Sequence, residues 1–261
     1  MGGLDSPPSV VLLAGDGALS NAVFNALRRR FSIARVIFEE GVPRRELLRR
    51  RARKLGLQRV IGQLAFRAGA VPFLHLTSRQ RIREICEEFS LDLTPPPAQV
   101  VSRVTSANAP ETVALLQEIR PAAVVVNGTR ILGADILARV QSVFLNTHVG
   151  ITPSYRGVHG GYWALTDRRA DLCGVTVHLI DRGIDTGGVL GQALIHPTAA
   201  DNFTTYPYLQ IAAALPLLRQ ALAAAITGRA ETVSPLASSS RLWSHPTLVE
   251  YLYHWATKGV R

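Results

Sequence analysis

Short unbroken apolar runs alternate with helical stretches along this chain, and that alternation organises everything else. Residues 9–14, Ser-Val-Val-Leu-Leu-Ala, form such a run, closed by Gly15, Asp16 and Gly17 and followed by a helical pattern over 20–30. A second β-like run covers 33–38. A strand–turn–helix–strand opening predicts an α/β fold, with an open, mostly parallel twisted sheet and helices on both faces. Residues 43–83 are helical in pattern, with breaks near Gly56, Gly69 and Pro72. Within them Leu57, Val60, Ile61, Leu64 and Ala65 recur at helical spacing. They read as a core-facing stripe, the alternative being a hairpin on a membrane surface. Thr94-Pro-Pro-Pro97 predicts a loop, 99–104 a strand, and 108–118 a helix opened by Pro110 and Glu111. Further strands are predicted over 121–126, 143–145, 173–180 and 188–195. Residues 206–227 predict a long apolar helix lying over the sheet and bent at Pro216. The pattern thus divides the chain into a domain over 1–230, with a basic helical insertion at about 40–90, and a peripheral extension over 231–261.

Composition narrows the class. At 261 residues with 47% hydrophobic and 18% charged positions, one sizeable α/β core is expected and wholesale disorder is excluded. Two cysteines, Cys86 and Cys173, make neither a disulfide framework nor a cysteine zinc site. The first eight residues lack the pattern of a secretory signal, and no apolar stretch reaches about 18 residues without a charge. The expectation is a cytoplasmic protein in a reducing compartment. Charge adds one further feature. Arg28 to Arg59 holds 12 Lys/Arg against 3 acids, whereas the remainder holds 17 against 16, so almost all of the net +10 sits in one segment. Such a stripe can meet phosphates or anionic lipid, or be a solvated helix face. Phe31 and Phe38 are the aromatics in this segment and none lies among the arginines from Arg44 to Arg59, so single-strand stacking is poorly supported and a nucleic-acid partner is not expected.

The candidate chemistry lies between Asn146 and Asp185. Asn146 and His148 alternate on a strand, so both side chains leave on one side, at the strand end where open α/β sheets hold their ligands. An amide and a protonated imidazole there suit a developing oxyanion. Asp185, in a Gly-rich stretch beginning at Gly183, would orient and charge the histidine. The alternative for His148 is a satisfied loop histidine. Gly15, Asp16 and Gly17 sit where a strand meets a helix N-terminus, a place for a substrate anion or simply a tight turn.

The run Asn146-Thr-His148-Val-Gly-Ile-Thr-Pro153-Ser-Tyr-Arg156-Gly157 resembles the Asn-x-His-x-Ser-x-x-Pro-x-x-Arg-Gly signature of the formyltransferase family. Residues 174–187, which include His178 and Asp185, are similar to that family's second block, and Asn127-Gly128-Thr129-Arg130-Ile131-Leu132 resembles its pterin-clasping loop. The resemblance implies a Rossmann-like formyltransferase fold. It also implies 10-formyltetrahydrofolate as donor, with no metal. Asn146, His148 and Asp185 would be catalytic. Gly128, Thr129, Arg130, Ile131 and Leu132 would border the folate together with His178, Leu179, Ile180, Asp181 and Gly183. Arg156, in the signature, and His159, just after it, would meet an anionic acceptor, or Arg156 would brace its loop.

The function implied is transfer of a formyl group to the primary amine of a small acceptor, with a nucleotide-linked amino sugar as the favoured acceptor. Glycinamide ribonucleotide or another small amine is the alternative, as is water, which would make a formyl-folate hydrolase. A reading of another class is a non-catalytic protein that binds nucleic acid or membrane through the basic stripe. A homodimer is the analogy-based expectation.

Overall fold

The computed structural model describes residues 8–41 and 44–261. Residues 1–7, read above as lacking a secretory signal, and residues 42 and 43, near the start of the expected helical insertion, lie outside them.

The main strands are β1 (Ser9–Gly15), β2 (Ser32–Glu39), β3 (Val101–Val104), β4 (Ala123–Asn127), β5 (Val143–His148), β7 (Gly174–Leu179) and β8 (Val189–Leu194). These seven form one sheet in the order β3-β2-β1-β4-β5-β7-β8. The first five are parallel, while β7 is antiparallel to β5 and β8 to β7. Val10 to Ala14 and Ala123 to Val126 are buried throughout, which is why these strands read as unbroken apolar runs. Helices α1 (Ala18–Leu27) and α9 (Tyr206–Ala225) pack in the cluster on one face, with α8 (Gly160–Thr166); α6 (Pro110–Ile119) and α7 (Ala134–Arg139) cover the other. Helix α9 runs through Pro216 without interruption. It is long and apolar enough to cross a membrane, yet it lies packed on β7 and β8.

The insertion forms α2 (Arg44–Leu55), α3 (Leu57–Ala65), a π-helical turn (Phe66–Ala70), α4 (Val71–Thr77) and α5 (Arg79–Glu88). Only part of the predicted stripe faces inward: Val60 is buried, whereas Leu57, Ile61 and Leu64 are exposed. Helix α3 is instead docked through other positions, since Gln63 Nε2 donates to the His245 carbonyl (2.7 Å) and Arg59 pairs with Glu250 (3.1 Å).

The segment expected as a peripheral extension is integrated. Its strand β9 (Leu242–Trp243) pairs in parallel with β6 (Arg156–Gly157), inside the signature run, and its helix α10 (Leu248–Lys258) packs on α3 and the π turn. Helix α10 is opened by a Thr247–Glu250 capping box. Phe66 then bridges the insertion to the extension, its ring centroid 4.9 Å from both Phe203 and Tyr251.

Candidate active site

Strands β5 and β7 build the site by their register. Antiparallel pairing sets Asn146 opposite His178 and His148 opposite Thr176. Asp185 arrives from the loop after β7 with φ +51, a left-handed conformation that is uncommon outside glycine and characteristic of constrained sites. Its carboxylate lies between two imidazoles whose centroids are 6.4 Å apart. Oδ2 is 3.4 Å from His148 Nδ1, Oδ1 is 3.6 Å from His178 Nε2, and the Gly157 N–H donates to Oδ2 at 2.9 Å. Asn146 Nδ2 is 3.1 Å from His178 Nε2 and donates to Asp185 Oδ1 at 3.4 Å.

A carbonyl oxygen can only accept, so two ring protons are assigned by their partners. His148 Nε2–H donates to the Tyr155 carbonyl (2.7 Å) and His178 Nδ1–H to the Leu179 carbonyl (2.7 Å). The remaining nitrogen of each ring faces Asp185. The centre is therefore a carboxylate flanked by two oriented imidazoles and one amide. His148 is 5% exposed, and burial pushes its pKa down, with Asp185 and the Tyr155 carbonyl pulling the other way. Burial thus opposes the imidazolium, while an acceptor at each ring nitrogen, Asp185 at Nδ1 and the Tyr155 carbonyl at Nε2, favours it. For Asp185 burial works against ionisation, but His178, His148 and the Gly157 N–H together outweigh it and hold the carboxyl below the usual range.

Close backbone approach locks this geometry. A Cβ on Gly150 would stand 2.8 Å from His148 Nε2 and would meet the Tyr155 carbonyl oxygen, and Gly160 packs against Gly150. Asp181 Oδ1 accepts from Gly183 N–H (2.8 Å) and from Thr186 Oγ1–H (2.7 Å), which folds the loop that presents Asp185.

The structure places the remaining expected residues as follows. His178, expected at the folate, stands inside the central cluster. Arg156 donates from Nη1 to the Ile184 carbonyl (3.1 Å), so it braces the Asp185 loop, and its Nε is buried with no hydrogen-bond partner among the described residues. His159 packs on Phe203 (4.4 Å between centroids) and accepts from His245 (2.9 Å), whose other nitrogen accepts from Arg51 (3.0 Å). Burial lowers His159 to about 3 and His245 to about 4, with Arg67 adding to both. One arginine of the basic stripe is thus linked through His245 to His159, two residues beyond the signature run. Neither His245 nor Arg51 carried any sequence signal for this; a β6–β9 pairing between distant segments is what unites them. Asp16 pairs with Arg103 (2.8 Å), and the Gly15 backbone abuts the Gly128 carbonyl, so the first loop closes on the β4 loop.

The β4 loop and the loop after β7 are neighbours. Leu132 is buried in a cluster against which Ile180 packs. Thr129 Oγ1–H donates to the Arg130 carbonyl (2.8 Å), and Arg130 turns its side chain away toward Glu39 and the carbonyls of Glu40 and Thr105. Asn108 donates to the Ile131 carbonyl (2.9 Å), while the N–H groups of Ile131 and Leu132 find no partner among the described residues. Free donors beside an apolar wall fit the edge of a pterin ring. Among the described residues, no group of three or more His, Cys, Asp or Glu is arranged to hold a metal ion.

Comparison with known proteins decides the family. A model described as formyl transferase matches residues 76–208, just over half of the chain. The chain belongs to the formyl transferase family. A phosphoribosylglycinamide formyltransferase of Mycobacterium tuberculosis is 40% identical to this family member over 76 residues, 29% of this chain and 35% of that protein. A methionyl-tRNA formyltransferase of Anaeromyxobacter dehalogenans is 39% identical over 93 residues, 35% of this chain and 30% of the relative. The chain therefore matches about a third of the length of these relatives. Two solved structures share the formyl transferase fold. A sugar N-formyltransferase from a Shewanella species has a TM-score of 0.55 at 12% identity, covering 89% of this chain and 75% of the other. A phosphoribosylglycinamide formyltransferase from Anaplasma phagocytophilum has 0.55 at 15%, covering 85% and 89%.

Proposed function

We propose that this protein is an N-formyltransferase that moves a formyl group from 10-formyltetrahydrofolate to the primary amine of a small acceptor. The observation that carries the reading is Asp185 clasped between His148 and His178 with the Asn146 amide beside it. The donor brings the activated formyl group. The neutral acceptor amine attacks the formyl carbon, and the carbonyl oxygen becomes an oxyanion. Both Asn146 N–H groups are engaged here, by His178 Nε2 and by Asp185 Oδ1, and the longer of the two contacts, to Asp185, is the one exchanged for that oxygen. The amine proton passes to Asp185, directly or through water; as the oxyanion collapses, the bond between the formyl carbon and the folate nitrogen breaks, and that nitrogen takes up a proton as tetrahydrofolate leaves. Ile131, Leu132, Leu179 and Ile180 border the slot for the folate.

Among acceptors, an amino sugar on a nucleotide carrier is the substrate class we favour, because sugar N-formyltransferases are among the fold neighbours. Arg51, held by His245, which in turn bonds His159, adds one cation to this side of the molecule, which suits an acceptor bearing phosphate. Glycinamide ribonucleotide is the second reading, carried by the local sequence similarity. A cytoplasmic site of action accords with the folate donor, and a homodimer belongs to the same proposal.

The test is an amine screen with 10-formyltetrahydrofolate, following tetrahydrofolate release by absorbance. Release that depends on a nucleotide-linked amino sugar is the expected result. Release without any amine would make the protein a hydrolase. If no folate is released and 5-formyltetrahydrofolate gives no thermal shift, the donor assignment fails, because a ligand selective for the folded state must stabilise it.

A further inference from the structure

The outer face of the insertion takes no part in the proposed chemistry, and its composition is unusual for a surface. Leu57, Ile61 and Leu64, spaced four and three residues apart, form a solvent-facing stripe on α3, and Phe73 and Leu76 continue it on α4. Leu57 is 66% exposed and Phe73 is 62% exposed. The opposite face of α3 is consumed by the docking of Arg59, Gly62 and Gln63 against residues 245–250, so the stripe has no partner among the described residues. A contiguous apolar patch of this kind marks a contact surface.

Helix α2, joined to α3 through Gly56 at φ +85 and packed against it, supplies the complementary feature. Arg49, Arg50, Arg53 and Lys54 are exposed on it, and the Arg50–Glu46 pair (2.5 Å) is the one carboxylate contact they make among the described residues. Arg51, by contrast, turns inward to His245.

We propose that α2–α4 is a docking surface for a bilayer containing anionic lipid. Only such a partner uses both halves. A nucleic acid would satisfy the arginines and leave five large apolar side chains wet. A second copy of the chain would bury the apolar stripe but bring two strongly basic helices together. An anionic bilayer takes the leucines, the isoleucine and the phenylalanine into its interface and the guanidinium groups onto its head groups. The neighbouring helix α10 adds exposed Tyr253 and Trp255, side chains that favour a water–lipid boundary.

Cosedimentation of the intact protein with vesicles tests this. Vesicles of phosphatidylcholine mixed with phosphatidylglycerol should pellet the protein, vesicles of phosphatidylcholine alone should not, and added salt should weaken the association. A triple variant Leu57→Ser, Ile61→Ser, Phe73→Ser and a charge variant Arg49→Glu, Arg53→Glu, Lys54→Glu should each cut binding at least about tenfold. All six side chains are exposed, so both variants should keep their melting temperature and their vesicle-free formyl-transfer rate. Loss of vesicle binding in the charge variant alone, with equal affinity for poly(U) RNA, would overturn the proposal in favour of a polyanion surface. A dimer abolished by the serine variant, with no vesicle binding by the unaltered protein, would overturn it in favour of self-association.

Discussion

Asp185 is the residue on which the centre converges, and its neighbours explain its role. Two ring nitrogens face it and one backbone N–H bonds it, so the ionised form is favoured despite burial. Asp185→Asn keeps the shape but replaces an acceptor of protons with an amide. Turnover should fall by roughly 10²–10⁴-fold, the range for loss of a general acid–base group. Thermal unfolding of the variant should stay within a few degrees of the unaltered protein, and near-normal turnover would remove Asp185 from the mechanism. His178→Ala should also lower turnover rather than weaken folate binding, because its Nε2 serves Asn146 and Asp185. Comparing kcat with the folate KM separates the two roles.

At the scale of elements, the two-residue pairing of β6 with β9 has consequences out of proportion to its length. It holds Gly157, whose N–H reaches Asp185, and it sets Trp243 against Trp163 (4.7 Å between centroids) and Tyr155 (5.8 Å). The Arg241 guanidinium also lies over the indole, at 3.7 Å. Trp243→Ala removes this stack. We expect a cost of about 2–3 kcal/mol, somewhat below that of a fully buried aromatic because the indole is half-buried. A drop in kcat should accompany it, since the Gly157 N–H and the Tyr155 carbonyl both lose their backing. Differential scanning calorimetry with steady-state kinetics reads both effects, and a variant that melts early but turns over normally would show that the pairing does not position Asp185.

For the whole molecule, buried histidines set the response to acid. His159 and His245 are lowered from 6.5 to about 3 and about 4, chiefly by burial. The folded state thus binds fewer protons than the unfolded one between those values. The stability these groups support is complete above about pH 6.5 and is lost as pH falls toward 4. The melting temperature should decline by several degrees from pH 7 to pH 5, given about 2–4 °C per kcal/mol for a chain of this size. In His245→Gln, which retains an acceptor for Arg51 and a donor for His159, the decline should be shallower. An unchanged slope would show that these rings do not stay neutral in the folded protein.

The local pattern was sufficient for the elements that are buried on both faces, because a strand such as Val10–Ala14 has no polar side to confuse its reading. It was sufficient too for Asn146 and His148, whose shared side follows from two-residue alternation on a strand. The motif spacing brought Asp185 into the same site. Register, partners and protonation were decided by the tertiary structure. His178 joins the centre through antiparallel pairing 32 residues from Asn146, and no local signal encodes that pairing. The apolar spacing in α3 specified a helix but not which side was buried, since an amphipathic stripe turns inward only if a neighbour accepts it; here Thr247 and Glu250 claimed the opposite face. The charge on His148 likewise depended on burial and on a carbonyl seven residues away, quantities set by three-dimensional closure and absent from any one-dimensional pattern.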